Sequence, residues 1–155
     1  MSTKRSSGGK PKPSPPRDTN WYDMASLCKK MHHYLYREGD VTRARRYLHS
    51  LKRTLDLAPK SRIVIVRQEA LALLYELEGH LVRAIAYRER ELELKKRLYK
   101  SFDECVRAGK YDKDRAEELR IYTSCDRPHL LERQAMLKTL KAAVRKAGKS
   151  QKRSK

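Results

Sequence analysis

The chain has 155 residues, of which 39% are hydrophobic and 37% charged, with 38 basic against 19 acidic side chains and a formal net charge of +19. That is one domain's worth of chain, and six glycines and six prolines set mostly near the ends argue against an all-β fold. No apolar run is long enough to span a bilayer or to form a signal-peptide core, and three cysteines (Cys28, Cys105 and Cys125) make no disulfide pattern. The expected setting is therefore intracellular with reduced thiols: cytoplasmic, or nuclear in a eukaryote.

The charge is unevenly placed. Residues 1–18 carry +4, residues 138–155 carry +8 with no acidic side chain, and the 119 residues between them hold +7. Such a surplus points to a polyanion as a partner. Residues 1–18 are Ser, Gly, Pro and Lys with almost no apolar material, so they are expected to be a disordered basic tail.

A first helix is expected from about Asn20 to Glu38, with Trp21, Met24, Cys28, Met31 and Leu35 on one face. Gly39-Asp40 turns the chain. A second helix, about Asp40 to Leu57, repeats the spacing with Val41, Ala44, Leu48, Leu51 and Leu55, and its other face is basic. The short link makes the two an antiparallel hairpin. Pro59 and Ser61 then stop one helix and cap the next. Ser61–Leu77, SRIVIVRQEALALLYEL, is apolar nearly all round, with Arg67, Gln68, Glu69 and Glu76 as its polar strip. A helix of that kind needs cover on several sides, so the other elements are expected to stack on it.

After Gly79, a long helix from about Leu81 to Ala108 starts apolar and turns strongly charged, with Glu89, Glu91 and Glu93 read as a solvated face and Glu91–Lys95 as a favourable i,i+4 pair. A thin stripe of Leu92, Leu98, Phe102 and Val106 continues to its end, to be covered by the last helix or by a second copy. A short helix from Lys113 to Tyr122, capped by Asp112 or Asp114, precedes a final helix that starts near Asp126 and Pro128. Residues 148–155 are expected to be a disordered basic tail, which leaves 19–147 as an all-α domain of antiparallel hairpins.

A shift of 40 residues aligns LYREGDVTRARRY with YELEGHLVRAIAY, matching Gly39 to Gly79, Arg43 to Arg83, Ala44 to Ala84 and Tyr47 to Tyr87. With Ala72, Tyr75, Gly79 and Ala84 at small, aromatic, glycine and alanine positions, the segment 24–95 resembles the tetratricopeptide-type helical repeat. The first unit departs from it at His32 and Leu35, and the spacing exceeds the family's repeat of about 34 residues. The resemblance implies a short α-solenoid with a groove for a peptide or partner helix, no catalysis and no cofactor.

Candidate chemistry is concentrated in the basic residues. Lys138, Lys141, Arg145, Lys146, Lys149, Lys152, Arg153 and Lys155 suit phosphate contact, and Arg43, Arg46 and Arg53 form a second basic surface. Tyr34, Tyr36 and Tyr47 beside His33, Arg37 and Arg46 would suit base stacking, but tyrosines in helical hairpins more often pack with the hydroxyl at the edge. Cys28 with His32 and Cys125 with His129 are i,i+4 pairs that would make a Cys₂His₂ zinc site if the first and last helices met; Cys28 also fits the apolar stripe as a core residue. No phosphate loop, HExxH or nucleophile elbow is present. The functional expectation is a non-catalytic helical-repeat adaptor that binds a protein partner and touches a polyanion through its ends. The alternatives are a nucleic-acid-binding protein that uses the basic helical surface, and a structural, homo-oligomeric helical protein.

Overall fold

The computed structural model describes residues 17–57 and 64–154. They form helices α1 (Arg17–His32), α2 (Val41–Arg45), α3 (Leu48–Leu57), α4 (Val64–Leu77), α5 (Leu81–Arg107), α6 (Lys113–Tyr122) and α7 (Arg127–Ser154), with a π-helical turn at His33–Arg37. The described residues contain no strand, so the all-α expectation stands for them. No described helix is long and apolar enough to cross a membrane.

The stops follow the expected residues. Gly39 and Gly79 end their helices with φ of +66° and +87°, a left-handed conformation that an L side chain resists. Asp40 caps α2 by accepting from the Arg43 amide at 3.0 Å, and Asp112 caps α6 by accepting from the Arg115 amide at 2.7 Å. The expected roles of Pro59 and Ser61 fall outside the described residues.

Three boundaries differ from expectation. The second helix divides at Arg46-Tyr47, where the amides bond carbonyls three residues back and tighten the turn. At the N-terminus, α1 starts at Arg17, inside the stretch expected to be a tail; residues 1–16 lie outside the described residues. At the C-terminus, α7 passes Gly148 and continues to Ser154, where a flexible tail was expected. One glycine inside a helix costs about 1 kcal/mol and does not end it.

The central position of α4 follows from its all-round apolarity. It packs on α1, α2 and α3 on one side and on α5 on the other, with Ala70, Ala72 and Leu73 fully buried. Met24, Cys28, Met31, Ala44, Leu51 and Leu55 complete that core. A second core lies where α6 covers the end of α5: Phe102, Ala116 and Cys125, flanked by Leu98, Val106, Tyr111 and Leu119. The distal part of the thin stripe on α5, Leu98, Phe102 and Val106, is thus covered by α6 and the turn after it.

The turn used twice in the sequence is used twice in space. Tyr75 stacks on Tyr87 at 5.5 Å with Arg83 over the Tyr75 ring, and Tyr34 stacks on Tyr47 at 6.0 Å with Arg43 over the Tyr34 ring. By the 40-residue shift Tyr75 should match Leu35 instead. The π turn supplies the one-residue offset: His80 bonds back to the Tyr75 carbonyl, while Asp40 must reach one residue further, to that of Tyr34.

Candidate functional site

The interior holds what the sequence placed outside. Arg88, Glu91 and Lys95 of α5, Glu69 of α4, Arg133 of α7 and His32 of α1 are all buried. Glu91 is fully enclosed and meets Arg88 Nη1 at 2.8 Å, Lys95 Nζ at 3.0 Å and Arg133 Nε at 3.1 Å. Glu69 takes Arg133 Nη2 at 3.0 Å, Lys95 Nζ at 3.4 Å and His32 Nδ1 at 3.0 Å. Arg133 therefore bridges two carboxylates from two different helices and fastens α7 to both. At the edge, the Tyr36 hydroxyl donates to Glu76, whose carboxylate lies 4.0 Å from Arg88 Nη2. Three cations face three carboxylates, so the protein's positive surplus stays outside this cluster.

Two expectations are corrected here. Glu91 belongs to no solvated face, and the Glu91–Lys95 pair, although formed, is enclosed together with Glu69 of the polar strip on α4. The cause is the spacing of Ala84, Arg88, Glu91, Lys95, Leu98 and Phe102 along α5: steps of four and three put all six on the inward face.

Protonation follows from the geometry. Arg88 Nη2 donates to His32 Nε2 at 2.7 Å, so that nitrogen is an acceptor and the proton sits on Nδ1, which faces the Cys28 carbonyl at 2.8 Å and Glu69. Burial, with Arg133 and Arg88 close by, lowers the His32 pKa from 6.5 to about 4, and the ring is neutral at pH 7. Burial by itself would raise the pKa of Glu69, but Lys95, Arg133 and His32 outweigh it and hold the carboxyl well below the ordinary carboxylate range. For Glu76 burial prevails over Tyr36 and Arg88, and its pKa is raised. Each carboxylate is occupied by cations or a hydroxyl, and the network lines neither the depression along α7 nor the cleft between α5 and α7. The cluster fastens helices together.

Fastening α7 by Arg133 decides which of its residues face water. Lys138, Arg145, Lys146 and Lys149 are exposed; Lys141 is half-buried and meets Glu89 at 3.0 Å. Lys152 and Arg153 lie on the last turns of α7, and Lys155 is outside the described residues. Gln134, Leu137, Lys138, Lys141 and Arg145 line a shallow open depression. On α2–α3, Arg43, Arg46 and Arg53 are all exposed, and Arg43 also covers the Tyr34 ring at 4.7 Å and lies 3.7 Å from Glu38. The nearby tyrosine rings are packed, Tyr34 on Tyr47 and Tyr36 by its hydroxyl on Glu76.

The four zinc candidates are not brought together. Cys28 belongs to the core around α4 and His32 to the charge network, while Cys125 lies under α6 and His129 Nδ1 meets Asp126 at 2.5 Å. Among the described residues no group of three or more His, Cys, Asp or Glu side chains is arranged to hold a metal ion.

No protein-family model, curated protein or solved structure matches this chain.

Proposed function

We propose that the protein is a non-catalytic helical adaptor that docks a protein partner on its stacked hairpins and contacts a polyanion through the outer half of α7. The observation that carries the reading is the charge along α7. From Lys138 to Lys149 it has five basic residues and no acidic one, and among the described residues Lys141 alone of the five meets a carboxylate. The duplicated tyrosine turn, and α1 and α3 lying side by side against α4, support the likeness to a tetratricopeptide-type array. The second reading, a nucleic-acid surface on α2–α3, rests on exposed Arg46 and Arg53, but there Arg43 is already engaged and Lys52 meets Glu78 at 2.7 Å.

The test is binding of the whole chain to a mixed RNA and DNA pool. Reversing Lys138, Arg145 and Lys146 to Glu should weaken it at least about tenfold, and reversing Arg46 and Arg53 should change it less than about twofold. The opposite pattern moves the surface to α2–α3. No binding at about 150 mM salt removes the polyanion from the reading.

A further inference from the structure

We propose that the cleft between α5 and the first two turns of α7 docks an acidic amphipathic helix of a protein partner. This rests on the adaptor reading and supplies the partner's chemistry. Lys96 and Lys100 line the cleft from α5 and Arg127 from α7, and among the described residues no carboxylate lines it. Its floor is apolar, made by Tyr99, Leu130 and Leu131, and Leu131 stands 58% exposed. Arg127, Leu130, Leu131 and Gln134 sit at i, i+3, i+4 and i+7, so they present one face over two helical turns. A helix laid along that face would set leucine-like side chains on the floor and carboxylates against the cations on both walls. The cleft is also preformed, because Arg133, two residues beyond Leu131, is clamped by Glu69 and Glu91; little ordering would be needed on binding.

Other occupants fit less well. Stacking of a nucleic-acid base is disfavoured, because one face of the Tyr99 ring, the aromatic ring of the cleft, already carries the Arg120 guanidinium at 3.9 Å from its centroid. The chain's own residues 1–16 hold Lys4, Arg5, Lys10 and Lys12 and no carboxylate, so they would repel the cleft. A second copy brings another +19, and of the three α6 carboxylates it could offer, Glu117 and Glu118 already meet Arg120 and Arg115.

The probe is a labelled helical peptide with leucines at i, i+3, i+4 and i+7 flanked by glutamates. Its control has the same charge with serine in place of leucine. The whole chain should bind the first at least about tenfold more tightly than the second, and Leu131→Asp and Lys96→Glu/Lys100→Glu should each cost at least about tenfold. Leu131→Ala, a milder change at the same exposed position, should fall between, with helicity and Tm unchanged. Reversal of Lys138, Arg145 and Lys146 should leave peptide binding within about twofold, so that failure here reads separately from failure of polyanion contact. Equal binding of the serine peptide, or no effect of Leu131→Asp, overturns the proposal. So does RNA that displaces the peptide through Lys96 and Lys100, or self-association in the ultracentrifuge that Lys96→Glu/Lys100→Glu abolishes.

Discussion

Glu91 has no contact with water and three cations around it, so its charge cannot be removed cheaply. Glu91→Gln keeps the shape and strands Arg88, Lys95 and Arg133 around a neutral amide. Its cost should be about 3–5 kcal/mol, read from the urea midpoint, well above the few tenths typical of an exposed i,i+4 pair. His32 gives the network a pH dependence of defined sign. Its folded pKa of about 4 lies below its ordinary 6.5, so between those values the unfolded chain holds a proton that the folded chain refuses. Stability should therefore fall as pH drops from 6.5 to about 4, by on the order of 3 kcal/mol. Glu69 and Glu91, both held below the ordinary carboxylate value of 4.5, add a further loss as pH falls through their folded values. Urea midpoints across this range should show the loss, and His32→Asn should lack the His32 part. None of this was legible residue by residue, because Glu69 reads as one polar position on an apolar helix and Glu91 as one of three alternating glutamates. The available signal was the four-three spacing from Ala84 to Phe102, in which Arg88, Glu91 and Lys95 occupy inward positions.

At the scale of the elements, the glycines separate by their backbone rather than by their surroundings. A Cβ at Gly79 or at Gly148 would meet nothing within 4 Å. Gly79, however, holds φ +87° at the end of α4, while Gly148 sits inside α7. Gly79→Ala should therefore destabilise by about 1–2 kcal/mol, and Gly148→Ala should strengthen the end of α7 by about 0.5–1 kcal/mol, seen as a lower Tm in the first and higher helicity in the second. Turn residues and apolar spacing made most helices readable: α6 ran from Lys113 to Tyr122 as expected, with Asp112 as its cap. The π turn and the break at Arg46-Tyr47 were not readable. They hold Tyr34 and Tyr47, whose stacking is a contact between helices that no local propensity records.

For the whole molecule, the same charges answer salt in two ways. The network is enclosed, so raising salt from about 50 to 200 mM should hardly move Tm. Four phosphate contacts from Lys138, Arg145, Lys146 and Lys149 would lose about 10²-fold in affinity over that range. Measuring both on one preparation separates charge that holds the fold from charge that meets a partner. The sequence by itself determined the helical class, the glycine turns, the repeated hairpin and the basic surplus at the C-terminal end, because spacing, capping and charge count are local quantities. Only the tertiary structure decided which charges are interior. Burying a charge requires a partner of the opposite sign, and the buried partners of Arg133 are Glu91 and Glu69, 42 and 64 residues away in the chain. That pairing sets the rotation of α7, and with it the faces that Leu131 and Lys138 turn to water.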